Sequence, residues 1–216
     1  MTVMKKVFYI LLFAWFGISC TRSGSEVGGE FSATEYYIPG YLEADMLKEP
    51  DVCTDGLVSL QFSGELYLPS RGEKGDKFRE LSAFYGDTYY NKPTCPGGPY
   101  VLCNEFERID VISDRGFNDI PAGSSLDSVV ELLAASAKPF IDSGYDPSYG
   151  WPDNATDAYY RDGEPIMCGT YGGFSPVYGV LSDLRAEDLK LLYFSYVGCM
   201  YLSFLEEPAV KEHTFT

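Results

Sequence analysis

The sequence predicts a mainly β fold, with antiparallel sheets arranged like a β-sandwich and one α-helix packed against them. Three patterns support this prediction. Residues 56–68 alternate between apolar and polar side chains, residues 125–137 place apolar side chains at helical spacing, and residues 189–205 are rich in aromatic side chains around Gly198. A period of two is typical of a half-buried strand, whereas spacings of three and four are typical of an amphipathic helix.

Several strands are predicted in the first half of the chain. Within residues 56–68, Gly64 interrupts the alternation and is a candidate β-bulge. Residues 70–77 carry mixed charges and two glycines, which is typical of an exposed loop. Residues 78–90 and 101–113 are then predicted as strands, because their aromatic and apolar side chains favour extended backbone.

One helix is predicted, at about residues 125–137. Ser124 or Ser125 can cap its N-terminus, and Pro139 sets its C-terminal limit. Asp127 in the first turn suits the positive end of the helix dipole. The apolar side chains of this segment share one helical face, which consists of Leu126, Val129, Val130, Leu133 and Ala137.

The apolar stretch at residues 189–205 is predicted to form two strands that meet at a bend. Its central Gly198 and its aromatic side chains favour this interpretation over a single helix. The chain then enters a further strand that stops after about four residues, whereas strands usually have about five or six. We therefore expect the natural chain to continue beyond Thr216.

The N-terminal residues are predicted to be a secretory signal. Lys5 and Lys6 precede an apolar run over residues 7–16, and small residues follow it up to Cys20. The run is too short to span a bilayer as a helix. This order resembles the signal of bacterial lipoproteins, which implies that Cys20 is acylated and becomes the first mature residue. An ordinary cut after Ser19, with an unmodified Cys20, is the alternative.

The N-terminal signal also sets the predicted domain boundaries. Residues 1–19 are the signal peptide, and residues 20–30 are the lipid-anchor cysteine and a flexible Gly-rich tether. Residues 31–216 follow as a single β-rich domain that is cut short at its C-terminus.

The net charge limits the partners of the chain. A formal charge of −16 opposes contact with phosphate backbones, so no nucleic-acid partner is expected. The same charge gives no attraction to anionic lipid, so membrane attachment would come from the acyl anchor. An acidic surface suits solubility, cation binding or a basic partner.

A short motif connects the predicted helix to the strand before it. Residues 109–113 are strand-like, and residues 121–126 read Pro-Ala-Gly-Ser-Ser-Leu. This pattern resembles a family of Bacteroides-group lipoproteins of unknown function, in which a strand leads through such a turn into a helix. The resemblance implies an extracytoplasmic, β-rich domain in the cell envelope, on an outer-membrane lipoprotein that faces the periplasm or the cell surface. It implies no catalytic residues.

The cysteines predict a disulfide but no metal site. With Cys20 acylated, five cysteines remain, so at least one is unpaired. Cys95 and Cys103 flank a Pro-Gly-Gly-Pro turn and are the best candidates for a disulfide. No two cysteines have C-x-x-C spacing, so neither a zinc site nor a redox site is indicated, and no cofactor is expected.

A loop rich in aromatic and acidic residues is the predicted ligand-binding site. Between residues 142 and 162, tyrosine and tryptophan alternate with oxygen-bearing side chains, which suits stacking on sugars and hydrogen bonding to hydroxyls. The loop is therefore predicted to bind a glycan or a peptide, and packing of the rings onto the sheet or a calcium site are the alternatives. The predicted ligand-binding residues are Tyr145, Tyr149, Trp151, Asp153, Asn154 and Tyr159.

Catalysis is the weaker functional hypothesis. The single histidine, His213, lies near the C-terminus, which argues against a Ser-His-Asp arrangement. Glu105 with Glu107, or Asp142 with Asp146, would suit an envelope glycoside hydrolase as the alternative. We expect instead an exported, lipid-anchored envelope protein with a binding or structural role, whose partner is a glycan, a peptide or another envelope protein.

Overall fold

The computed structural model describes residues 33–52, 56–93, 100–149, 160–161, 164–165, 173–194, 200–209 and 214. Phe31–Thr216 form one compact unit. Its elements are, in chain order, β1 (Tyr41–Leu47), β2 (Asp51–Val52), β3 (Val58–Ser59), β4 (Phe62–Tyr67), α1 (Glu73–Tyr85), β5 (Tyr100–Leu102), β6 (Val130–Ser136), α2 (Lys138–Asp142), β7 (Tyr160–Arg161), β8 (Glu164–Pro165), β9 (Ser175–Val180), a 3-10 turn (Leu181–Asp183), β10 (Tyr193–Phe194) and β11 (Tyr201–Phe204).

Two larger sheets form the fold, and β7 pairs separately with β8. The strand orders are β10-β5-β1-β4 and β2-β3-β11-β6-β9. The strand pairs described within them are antiparallel apart from β1 and β5, which run parallel. A bridge between Ser136 and Leu192 joins the end of β6 to the start of β10. The predicted fold class, mainly β and sandwich-like with one long helix, is confirmed.

Both faces are buried in the central part of the two sheets. Neighbouring residues on five strands belong to two different core clusters, because successive side chains of a strand point to opposite faces. α1 and α2 cover the first cluster with Phe78 and Phe140, whereas irregular segments cover the second with Val111, Phe117 and Leu126. The neighbouring pairs are Tyr41 and Leu42, Val101 and Leu102, Leu133 and Leu132, Tyr193 and Phe194, and Tyr201 and Leu202.

The predicted helix at residues 125–137 is wrong, because most of this segment is β6. This strand lies between β11 and β9 and is covered on both faces. Leu132 packs in one core cluster and Leu133 in the other. A strand buried on both faces is nearly continuously apolar, and a short apolar run of this kind also matches helical spacing.

The long helix lies instead in the segment that was predicted as an exposed loop and a strand. α1 has acidic residues, Glu73 and Asp76, in its first turn. It ends at Gly86, which has the left-handed conformation (φ 80°) and donates its N–H to the carbonyl oxygen of Ala83. Phe78, which is fully buried, is the centre of its packed face.

The remaining strand predictions are correct in part. A β-bulge is present, but its extra residue, Asp45, lies in β1 between Ala44 and Met46. Gly64, where the bulge was predicted, is the residue that pairs with Ala44 on β4. A side chain at position 64 would meet the Glu43 carbonyl oxygen at 2.0 Å, which requires glycine there. The stretch at 101–113 is strand only in β5. Two strands within 189–205 are confirmed as β10 and β11, and Gly198 lies outside the described residues.

The predicted signal peptide, Cys20 and the tether lie outside the described residues. Among the helices of the described part, none is long and apolar enough to cross a membrane.

Candidate functional site

An open cleft lies beside the edge strand β9. It has a volume of about 690 Å³. β9 forms one wall, α2 a second, and the residues from Asp183 to Asp188 a third. We call it the α2 cleft. Its charged lining consists of Lys138, Asp142, Asp183, Arg185, Glu187 and Asp188.

Ser136, the last residue of β6, positions two walls of the α2 cleft. Its hydroxyl donates to the carbonyl oxygen of Lys190 at 2.6 Å and accepts the backbone N–H of Lys138 at 3.0 Å. The side chain is buried. One hydroxyl therefore holds the first turn of α2 to the chain that follows the third wall.

Each basic side chain of the α2 cleft is bound to an acidic one. Lys138 forms an ion pair with Asp142, one turn further along α2. The Arg185 guanidinium contacts Asp188 through Nε at 3.3 Å and Nη2 at 3.4 Å. The Arg185 backbone N–H donates to the same carboxylate at 3.0 Å and, together with the guanidinium, holds the pKa of Asp188 below its usual value. The two cations of the cleft are thus already compensated.

Tyr178 presents an aromatic ring at the α2 cleft. The side chain is 41% exposed, and its hydroxyl donates to Glu131 Oε1 at 3.0 Å. Tyr178 lies opposite Leu133 in the pairing of β9 with β6. The strand pairing and this hydrogen bond orient the Tyr178 side chain along the sheet.

Tyr145, one of the predicted ligand-binding residues, belongs to the core. It is 4% exposed and has the left-handed backbone conformation (φ 65°). Its hydroxyl donates to Asp87 Oδ1 at 2.9 Å, and its ring lies 5.6 Å from that of Phe140. The prediction that it binds ligand is wrong, because the chain turns inward directly after Gly144. This residue matches the alternative, in which the rings pack the loop onto the sheet.

Tyr149, the next predicted residue, is exposed. Its side chain is 48% accessible, and its N–H donates to the carbonyl oxygen of Asp146 at 2.9 Å. Tyr89, which was not predicted, is 61% exposed and packs edge-on against Tyr145 at 5.1 Å. The structure thus brings Tyr89 to the predicted loop. The other predicted ligand-binding residues lie outside the described residues: Trp151, Asp153, Asn154 and Tyr159.

Asp87 is a buried carboxylate at the end of α1. It accepts the backbone N–H groups of Tyr37 and Ile38, each at 2.8 Å, besides the Tyr145 hydroxyl. Burial raises the pKa of Asp87, and the three donors oppose this rise without cancelling it. The carboxyl group is fully enclosed, so it links three segments of the chain and has no access to a substrate.

The carboxylate pairs proposed for hydrolysis are not arranged as predicted. Glu105 and Glu107 would share one face only within a strand, but β5 ends at Leu102. The Asn104 carboxamide then pairs with the backbone of Ala44, at 2.7 Å and 2.9 Å, and takes the place of a further strand residue.

The second pair also lacks the features of a catalytic dyad. Asp142 is bound to Lys138, and Asp146 is exposed. The N–H of Ser148 holds the pKa of Asp146 below its usual value. A general acid of a glycosidase needs a raised pKa instead.

Cys103, half of the predicted disulfide, is a free thiol. Its N–H donates to the Leu42 carbonyl oxygen at 3.0 Å, and its own carbonyl oxygen accepts the Tyr85 hydroxyl at 3.0 Å. Burial and the neighbouring Glu43 raise the pKa of Cys103 to about 11, so it is largely protonated near neutral pH. The structure therefore does not contain the predicted bond, and Cys95 lies outside the described residues.

Apart from Asp142, which was considered as half of a carboxylate pair, the residues of the α2 cleft were not predicted from the sequence. Lys138 and Asp142 belong to a segment that follows a misassigned helix. Asp183 to Asp188 form an ordinary charged run, which indicates only an exposed turn. Their meeting at β9 depends on the pairing of β6 with β9, which no local pattern specifies.

The fold and the site define a mainly β domain with an open, polar cleft beside an edge strand. In the part of the chain that the structure describes, no group of three His, Cys, Asp or Glu side chains could hold a metal ion. No family model matches the chain, and neither a curated protein nor a solved structure matches it significantly.

Proposed function

We propose that this chain is an exported, lipid-anchored protein of the cell envelope, and that it binds a ligand and does not convert one. The observation that carries the first part is the order of its N-terminal residues. A basic pair, an apolar run and small residues end at Cys20, and a Gly-rich tether follows up to residue 30. The compact unit begins directly afterwards, at Phe31.

The acyl chains supply the membrane attachment in this proposal. At a formal charge of −16, the chain is repelled by anionic lipid, so no polybasic surface adds to the anchor. The tether of about ten residues spans at most roughly 35 Å when extended, which keeps the domain close to the bilayer.

The state of the charged groups in the α2 cleft supports binding over catalysis. A general acid or base must exchange a proton with a substrate, and its pKa is usually shifted toward the working pH. In the cleft, Lys138 is held by Asp142, and Asp188 is held by Arg185 with a lowered pKa. Charges fixed in this way are poorly suited to proton transfer and leave the cleft suited to binding.

Acylation of Cys20 is tested in the full chain, expressed with a C-terminal tag in a Gram-negative bacterium and labelled with an alkyne fatty acid. We expect label on the wild-type protein and on Cys103→Ala, which is the matched control. Cys20→Ala should carry none. Mass spectrometry should find a mature N-terminus that starts at acylated Cys20.

Two outcomes would contradict the proposal. Unlabelled protein that retains Met1 in the cytosolic fraction would exclude both export and acylation. An exported protein cut after Ser19 without label would exclude the lipid anchor alone.

A further inference from the structure

We propose that the α2 cleft binds a basic peptide segment, with a lysine or arginine side chain placed between its acidic wall and the Tyr178 ring. This inference rests on the proposed binding function and names the ligand class for that site. It follows from three properties of the cleft, which are its residual charge, its exposed aromatic ring and its size.

The α2 cleft keeps an excess of negative charge. Four acidic and two basic side chains line it, and two of the acids are bound to the two bases. Asp183 and Glu187 remain, and among the described residues neither has an ion-pair partner within 4 Å. Asp188, and to a lesser extent Glu187, raises the pKa of Arg185. Two carboxylates are thus left to attract a cation.

Both of these carboxylates are exposed, so a cationic ligand can reach them without displacing an existing ion pair. An anionic ligand meets the opposite situation, because the two cations already have partners and the whole chain carries a charge of −16. A basic segment is therefore attracted both by the cleft and by the long-range field of the protein.

Tyr178 adds a second feature that suits a cation. Its ring is 41% exposed in the wall formed by β9, and Glu131 holds its hydroxyl. An ammonium or guanidinium group is attracted to the face of an aromatic ring, and the aliphatic stem of lysine or arginine packs on the same surface. Carboxylates on one wall and a ring on another are complementary to one such side chain.

The size of the α2 cleft favours a peptide over a single small cation. Its volume of about 690 Å³ lies well within the range of roughly 300–1,000 Å³ that is typical of ligand pockets. A lone polyamine would leave much of the wall around Pro176 and Leu184 exposed, whereas the residues that flank a lysine in a peptide can cover it.

The test uses the full mature chain in a non-ionic detergent, at about 0.15 M ionic strength. The probe is a fluorescent octapeptide of alternating lysine and serine, and fluorescence anisotropy measures its dissociation constant. The comparison probes are the octapeptide of alternating glutamate and serine, spermidine as a competitor, and a neutral linear hexasaccharide. We expect binding of the lysine peptide, and at least about tenfold weaker interaction with each comparison probe.

Two pairs of substitutions separate the cleft from the general negative charge. Asp183→Asn with Glu187→Gln should weaken binding of the lysine peptide about tenfold. The matched control, Glu49→Gln with Asp51→Asn, removes the same charge from exposed residues around β2, at the other end of the same sheet. It should change binding by less than about twofold, because a distant surface charge is screened.

The contribution of the ring is tested with Tyr178→Leu and Tyr178→Phe. We expect weaker binding for the leucine variant and little change for phenylalanine, which keeps the aromatic face. Thermal unfolding of each variant shows whether the fold is retained.

The proposal is overturned if the two paired variants lose affinity equally, because the attraction would then be unspecific. It is also overturned if the glutamate peptide, the hexasaccharide or spermidine binds as well as the lysine peptide. Acylation of Cys20 without peptide binding would reject this inference and leave the proposed anchoring intact. Peptide binding by a protein that is not acylated would support this inference and reject the proposed lipid anchor.

Discussion

β6 and α1 show opposite relations between sequence and structure. β6 has the apolar spacing of a helix and is a strand, whereas α1 begins in a charged, Gly-containing segment and is a helix. β6 is determined by its middle, where both faces are buried between β11 and β9. α1 is determined largely by its ends, through Gly75 near its start and Gly86 and Asp87 at its end. When an element is buried on all sides, its apolar side chains no longer show the spacing that identifies a strand or a helix. When contacts at its ends fix an element, that spacing is kept.

The period of α1 is in fact present in the sequence. Phe78, Leu81, Ser82 and Tyr85 follow the i, i+3, i+4, i+7 pattern, and all four are buried or half-buried. Ser82 and Tyr85 are not typical core residues, so the stripe is weakly apolar. A polar residue on the buried face is what made this helix difficult to predict.

The largest expected effect comes from substitutions that distinguish a strand from a helix at β6. Leu132→Ala should lower the free energy of unfolding by about 2–5 kcal/mol, because Leu132 is fully buried in the second core cluster. Val129→Ala should cost less, since Val129 is half-buried and precedes the strand. In a helix, Val129 would face the core and Leu132 would not. Urea unfolding of both variants measures this order, and a reversed order would support the helix.

The next effect concerns the end of α1. Asp87→Asn should destabilise the fold by about 1–3 kcal/mol at pH 4, because the amide NH2 group replaces one of the two oxygens that accept hydrogen bonds and then faces an N–H or O–H donor. Asp119→Asn, an exposed control, should have little effect. Urea unfolding of the wild type and both variants gives these differences.

The cost of Asp87→Asn should also depend on pH. Burial raises the pKa of Asp87 in the folded chain above its ordinary value of about 3.9. The folded state then holds this proton more tightly than the unfolded state, so the contribution of Asp87 to stability is full below about pH 4 and is lost as pH rises through the folded pKa. The destabilisation by Asp87→Asn should therefore shrink between pH 4 and pH 7. Growth over that range would mean that the three donors outweigh burial.

The start of α1 gives a further test. Gly75→Ala should destabilise the fold by about 1–3 kcal/mol, because a Cβ atom would lie 1.8 Å from the Ser70 carbonyl oxygen. An unconstrained helix should instead gain up to about 1 kcal/mol from this substitution. Thermal unfolding measures the sign, with Glu80→Ala as an exposed control on the same helix. A gain in stability would show that this close approach does not hold α1 in place.

The sequence predicted the fold class but not the site, for related physical reasons. Composition and alternation are properties of the whole chain, and they indicated a mainly β fold, whereas the one helix was predicted from spacing in the wrong segment. The α2 cleft depends on which strand lies beside β6 and on where the chain turns after Gly144, and both are tertiary choices. Tyr149 was predicted as a ligand-binding residue because aromatic and oxygen-bearing side chains alternate around it, and it is exposed. Tyr145 has the same surroundings, and only its left-handed backbone directs it into the core.

The smallest expected effect tests why the face of α1 is weakly apolar. The Ser82 and Tyr41 hydroxyls are fully buried close to each other, where Ser82 acts to lower the pKa of Tyr41, yet neither hydroxyl makes a well-formed hydrogen bond among the described residues. Removing an unsatisfied buried hydroxyl relieves a desolvation cost, and alanine also suits a helix better than serine. Ser82→Ala should therefore leave stability unchanged or raise it by up to about 1 kcal/mol in urea unfolding. Tyr41→Phe should behave in the same way, because it removes the other hydroxyl and keeps the ring.

A loss of more than about 1 kcal/mol in both variants would mean that the two hydroxyls bind each other or a shared water. The polar position on α1 would then be a stabilising contact, and α1 would be held by its middle as β6 is.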